Sequence, residues 1–192
     1  MTAGRQKRSE KRPKKVSEGY LERAALHYLG RFSSTEANLR QVLERKVRRR
    51  NEENAPATDE QLNWIASAAA KCVRLGYVDD AHYAKQRFAV LLRKGKPLRT
   101  IEQDLRYKGV PDQIVDDVLA TEQEDPEKDL DLTAAAAYAR RRRFGPFRRA
   151  DKTSEEKIEK EKAAMLRTGF SFTHVKQILS STEDELRLLL PQ

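Results

Sequence analysis

Leu105-Arg106-Tyr107-Lys108-Gly109-Val110 recurs sixty residues further on as Met165-Leu166-Arg167-Thr168-Gly169-Phe170. The register holds past the glycine, where Val115, Val118 and Leu119 match Val175, Ile178 and Leu179 at the same offset. One helix earlier, Lys94-Gly95-Lys96-Pro97 resembles Phe144-Gly145-Pro146 at an offset of fifty, so about ten extra residues belong around 147–156. A first unit carries its own extra residues at 48–58. Self-similarity at a fixed spacing points to a repeat architecture, in which small units bury their apolar faces on each other. The expected fold is all-α, with three tandem three-helix repeats at 18–78, 79–121 and 122–182 forming an elongated, curved body. A basic disordered tail covers 1–17 and a C-terminal tail covers 183–192, with a short turn around Leu186 to Leu190. The competing reading is one irregular bundle in which the similarities arise by chance.

Apolar spacings of three and four residues define each helix. Leu21, Ala25, Tyr28, Leu29 and Phe32 mark the first, at about 18–32. Leu39, Val42, Leu43 and Lys46 share a face of the second, at about 34–49. Ser33-Ser34-Thr35-Glu36 reads as its capping box, with the Ser33 hydroxyl accepting a backbone N–H and Glu36 reaching back. Thr58-Asp59-Glu60-Gln61 is a second such box and Thr153-Ser154-Glu155-Glu156 a third. Leu62, Ile65, Ala69, Cys72 and Val73 line helix three, which Gly76 stops. Asp79 caps helix four, lined by Tyr83, Ala84, Phe88 and Leu91. Helix five carries Leu98, Ile101 and Leu105. Pro111 opens helix six. Helix seven, at about 130–144, turns Leu132, Ala135, Ala136 and Ala139 inward. Ile158, Met165 and Leu166 belong to helix eight, and helix nine follows. The acidic stretch 121–131 reads as a linker or a first turn.

Composition agrees with a helical fold. The 192 residues include 22 Ala and 20 Leu but only 10 Val and 5 Ile, a balance that favours helix over strand. Charged residues make up 36 % and the net charge is +9. Residues 1–15 alone hold seven basic side chains and one acid. Arg45, Lys46, Arg48, Arg49 and Arg50 form one further basic cluster. Arg140 to Arg143, with Arg148, Arg149 and Lys152, form another. Two clusters and a basic tail point to a polyanionic partner. No apolar run is long enough for a membrane span and no secretory signal opens the chain, so a cytoplasmic setting is expected.

Little in the sequence suggests catalysis, and neither cofactor nor metal is expected. His27, His82 and His174 lie far apart, and no nucleophile elbow or phosphate loop is present. Cys72, the single cysteine, sits on an apolar stripe and reads as a buried structural thiol. Asp79-Asp80 reads as a helix cap, and Trp64 as packing. Helices five and six resemble a helix–turn–helix, but Asp112, Asp116 and Asp117 on the second would repel phosphates, which argues against reading of base edges.

Three segments resemble the RecX family of regulators of the RecA recombinase. They are Tyr28-Leu29-x-Arg31-x-x-Ser34-x-x-x-x-Leu39-Arg40-x-x-Leu43-x-x-Lys46, Gly76-Tyr77-Val78-Asp79-Asp80-Ala81-x-Tyr83-Ala84, and Leu98-x-x-Ile101-x-x-x-Leu105-x-x-Lys108-Gly109-Val110. The resemblance implies a non-enzymatic protein that lodges on the filament of RecA on single-stranded DNA; no coiled-coil heptad run demands a dimer, so a monomer is expected. Recombinase, ATPase and co-protease activities would fall, which places the protein in DNA repair and SOS regulation. Charge and helix position nominate Arg40, Lys46, Arg48, Arg49, Arg106, Lys108, Arg140, Arg141, Arg142 and Arg143 as the surface for partner or DNA. The alternative is a generic basic nucleic-acid-binding helical protein acting without RecA. A scaffold for another protein is the third class.

Overall fold

The computed structural model describes residues 15–125, 128–149 and 154–190, so the tail up to Lys14 lies outside it, as do Lys152 and Thr153. Every regular element among the described residues is helical. The chain divides into two compact units at Asp79 and Asp80.

The first unit contains α1 (Glu18–Leu29), α2 (Glu36–Arg48) and α3 (Asp59–Arg74). Helix α3 packs on both others, and Ile65, Ala68, Ala69 and Cys72 meet Leu21, Ala25, Leu39, Leu43 and Val47 in the core. Trp64 packs on the margin of that core, while Leu62 and Val73 stay largely exposed. Thr58 and Gln61 close the expected capping box on α3. The cap of α2 differs from expectation. Thr35, not Ser33, accepts the Asn38 N–H at 3.1 Å, and Glu36 turns outward to Arg40. Burial decides between the two, because Thr35 is fully buried and Ser33 is exposed.

The second unit holds α4 (Asp80–Arg93), α5 (Leu98–Tyr107), α6 (Asp112–Glu122), α7 (Leu130–Arg142), α8 (Glu155–Thr168), α9 (Phe172–Ser180) and α10 (Glu183–Leu188). One continuous core runs through it, from Phe88 and Leu105 to Met165, Ile178 and Leu186. Helix α7 is the centre. Its residues Leu130 and Leu132 to Ala139 are all buried, so it is covered on every face rather than on one stripe. A run of alanines permits this, because neighbouring backbones approach closely on all sides. The segment from Glu183, expected as a tail, is a helix with its own capping box, Thr182 with Glu185, and Leu186 on it is fully buried. Helix α8 starts one residue later than its expected box, with Ser154 accepting from the Lys157 N–H.

Five helices end alike. The N–H of Tyr77, Lys96, Val110, Phe144 or Phe170 bonds back to the carbonyl of Cys72, Leu91, Leu105, Ala139 or Met165, at 2.9–3.3 Å. Each turn places one residue at positive φ: Gly76, Gly95, Gly109, Arg143 and Gly169. This is the Schellman closure of a helix. The sixty-residue match therefore falls on two copies of one turn. The fifty-residue match of Gly95 with Gly145 does not, because Arg143 holds the corresponding place after α7. At Gly95 a side chain is excluded twice over. Its φ is +65°, and an added Cβ would lie 2.6 Å from the Tyr138 Cα of α7. Two carboxylates of the acidic stretch fix the same region. Asp131 accepts the Leu98 N–H at 2.9 Å, capping α5 where Pro97 offers no side-chain acceptor. Asp129 caps α7 through the Leu132 N–H and meets His174 at 2.9 Å.

Glu161 on α8 is 2 % exposed and Arg148 9 %. Arg148 reaches Glu161 with two N–H groups, at 2.9 and 2.5 Å, and the Gly145 N–H adds a third bond at 3.0 Å. This pair ties the 145–148 turn to α8. It also removes Arg148 from the basic cluster in which the sequence had placed it. Burial alone would push the Glu161 carboxyl up, but Arg148 and the Gly145 N–H outweigh it and hold it below the usual range.

Two outcomes follow for stability. Gly95→Ala combines a left-handed backbone with overpacking and should cost about 3 kcal/mol, read by urea unfolding. Glu161→Gln leaves a buried guanidinium short of its counter-charge and should cost about 3 kcal/mol near neutral pH. Because the folded carboxyl titrates lower than the unfolded one, the wild-type advantage is complete above the ordinary glutamate range. It disappears as pH falls through the lowered value. Unfolding curves of the two proteins should therefore converge in acid; a constant gap would refute the assignment.

Candidate partner-binding surface

The last turn of α2 carries Arg45, Lys46 and Arg48, where cations oppose the helix dipole. Val47 is buried in the core, which leaves Arg45, Arg48 and Arg49 on the exposed side, while Lys46 is half-buried. Arg48 donates to the Asn54 carbonyl at 3.0 Å, bracing a loop whose Glu53 and Asn54 both have positive φ. Arg50 lies over the Tyr20 ring at 3.6 Å. Arg40 is held by Glu36 at 2.5 Å.

In the second unit the nominated residues sort differently. Arg106 is claimed by three carboxylates, Glu102, Asp112 at 2.8 Å and Asp116 at 3.3 Å. The bonds to Glu102 and Asp112 push its pKa further up. Two of these acids belong to α6, so the acidity noted on that helix is largely the counter-charge of α5. Lys108 sits over the Tyr107 ring at 5.5 Å. Tyr107 itself is 84 % exposed. Its place off the Leu98/Ile101/Leu105 stripe is the signal in the sequence for that exposure.

Arg140 to Arg143 are all exposed at the end of α7. Arg141 stacks toward Tyr138 at 5.7 Å and Arg142 toward Phe144 at 5.6 Å, which orients the guanidinium planes while leaving their edges to solvent. Arg140 and Arg141 wall a cavity of about 260 Å³ together with Arg93, Ala137 and Leu190. The structure thus brings Arg140 to Arg143 together as one patch. Arg40, Lys46, Arg48 and Arg49 lie together on α2 and its end. Arg106 stands within its own acidic cluster.

Among the described residues the cysteine and the histidines stand apart from one another. Cys72 is buried, and burial, reinforced by Glu22, pushes its thiol up, away from the thiolate. His82 meets Gln86 and His174 meets Asp129. Among the described residues no three His, Cys, Asp or Glu side chains gather as a metal site, and no helix is long and apolar enough to cross a membrane.

The chain is 40 % identical to "Regulatory protein RecX" of Myxococcus xanthus over 92 % of its own length and 93 % of that protein. It belongs to the RecX family. The RecX of Agrobacterium fabrum is 32 % identical over 87 % of the chain and 85 % of the relative. Residues 79–119 match the family model for the second three-helix domain of RecX. The crystal structure of RecX from Lactobacillus salivarius superposes with a TM-score of 0.57 at 22 % identity, covering 89 % of this chain and 97 % of that one. This likeness confirms the helical fold. The RecX-like segments around Gly76 to Ala84 and Leu98 to Val110 form the α3–α4 junction and the whole of α5 with its closing turn, so their glycines serve turns.

The run at the end of α7 carries a cost of its own. Arg143 has φ +57° without being glycine, a conformation that disfavours an L side chain. Arg143→Gly should raise stability by about 1 kcal/mol, measured as a higher urea midpoint. A lower midpoint would show that the Arg143 side chain has a structural role.

Proposed function

We propose that this RecX-family protein is a non-enzymatic regulator of RecA, working without cofactor or metal, as a cytoplasmic monomer. It binds the RecA filament on single-stranded DNA and lowers its recombinase, ATPase and co-protease activities. The observation that carries the reading is similarity over almost the whole chain to proteins named as RecX regulators. We further propose the three-helix repeats 18–78, 79–121 and 122–182 as its building blocks, the last two sharing one core. Exposed arginines suit the polyanionic filament, where Lys and Arg contact phosphates and recombinase carboxylates in a salt-dependent way. Arg140 to Arg143 and Arg49 are better placed for this than Arg106, whose charge is already met within the protein.

A second reading, direct binding to bare nucleic acid without RecA, is favoured by the same exposed patch. The deciding experiment is DNA-dependent ATP hydrolysis by the cognate RecA with this protein titrated in at near-physiological salt. Loss of hydrolysis at substoichiometric protein is the expected result. No change at excess protein, together with binding to bare DNA, would replace the first reading with the second. Replacing Arg140 to Arg143 by Ala should weaken filament binding about tenfold or more, with helicity by circular dichroism unchanged. Unaltered binding would remove this patch from the interface.

A further inference from the structure

Arg93 entered none of the basic clusters visible in the sequence. It is exposed in the last turn of α4, forty-seven positions before Arg140. The structure places it with Arg140 and Arg141 around one cavity of about 260 Å³, completed by Ala137 and Leu190. Among the described residues no carboxylate lines this cavity; Glu122, Asp125 and Asp129 line a neighbouring cavity that Arg93 also borders, and Glu183 another that Arg140 borders. Four other arginines of the unit are spoken for: Arg87 by Asp104, Arg106 by three acids, Arg148 by Glu161 and Arg187 by Glu183. Opposition to the helix dipole accounts for a cation at the end of α4 and another at the end of α7. It does not account for both helix ends facing the same void, whose described lining contains no acid.

We propose that the Arg93–Arg140–Arg141 cavity binds an internal backbone phosphate of a nucleic-acid strand. Three guanidinium groups can approach the tetrahedral oxygens of a phosphate from different directions, whereas a planar carboxylate is matched by a single fork. Arg141, within cation–π range of the Tyr138 ring at 5.7 Å, is drawn toward one orientation, which lowers the ordering cost of binding. Arg142 and Arg143 continue the patch and suit the next phosphates along a strand. The inference rests on the nucleoprotein reading above and deepens it by naming the ligand of this cavity.

The test uses the full chain and a short fluorescent oligothymidylate without RecA, so its outcome is separate from that of the ATP-hydrolysis assay. Arg93→Gln and Arg140→Gln should each weaken binding about tenfold. Each should also reduce the slope of log affinity against log salt by about 0.7, the loss of one phosphate contact on a single strand. Arg167→Gln removes the same charge from the last turn of α8, away from the cavity, and should leave the slope unchanged. Equal slopes for Arg93→Gln and wild type would overturn the proposal. So would an equal loss in Arg167→Gln, which would mean a diffuse positive field. Oligonucleotides with and without a 5′-phosphate should bind alike; a strong preference for the phosphorylated end, or displacement by inorganic phosphate, would assign the cavity to a terminal or free phosphate. Displacement of the DNA by polyglutamate at equal charge concentration would assign it to an acidic protein segment. Unchanged circular dichroism for each variant excludes misfolding as the cause.

Discussion

The second unit depends on how closely the turn after α4 approaches the backbone of α7. At Gly95 that approach leaves no room for a single carbon. Everything around it follows. Helix α7 must be built of small residues where it is surrounded, and Ala134 to Ala137 and Ala139 provide this. Its first turn must be capped within the fold, which Asp129 does, while Asp131 spends its carboxylate on the N-terminus of α5. The contact also governs the surface. Arg93 stands two residues before Gly95 and Arg141 three residues after Tyr138, so one backbone contact brings together arginines from distant parts of the sequence. A tight packing constraint thereby becomes a chemical one.

Charge in this protein divides into cations that hold the fold and cations that face outward, and sequence position alone does not separate them. Arg148 and Arg149 are neighbours of the Arg140–Arg143 run in the sequence. Yet Arg148 is nine-tenths buried and bonded to Glu161, so its removal unfolds rather than unbinds. Arg106 looks like an equally good contact in the sequence, but Glu102, Asp112 and Asp116 surround it in the fold. Arg93, outside every basic run, emerges only in three dimensions. A buried ion pair is strongly destabilising to break, whereas an exposed guanidinium can be replaced at little structural cost, and this difference makes the two classes experimentally separable.

Much of the helical plan was legible because it rests on local chemistry. The capping box at Thr58, the stop at Gly76 and the apolar stripe of α5 are all encoded within a turn or two of chain. The misreadings have long-range causes. Ser33 and Thr35 are both acceptable caps, and only burial selects Thr35. Helix α7 shows an apolar stripe in its sequence, but its remaining alanines do not announce that another helix covers them. Arg143 conceals a left-handed turn that a glycine would have advertised. Leu186 to Leu190 looked like a tail because six helical residues carry too little periodicity to betray a place in the core. The surface was less legible still, since pairing and exposure are properties of the folded chain.

The terminal helix also sets a schedule. The first unit closes its core over residues 21–78, so all of its contacts are available early in synthesis. The second cannot complete its core until Leu186 joins residues as distant as Ala84 and Phe88. On a ribosome, where domains fold as they emerge, the α1–α3 unit can be native before the last helix of the second unit is made. During that interval the place that Leu186 fills in the second core is still uncovered.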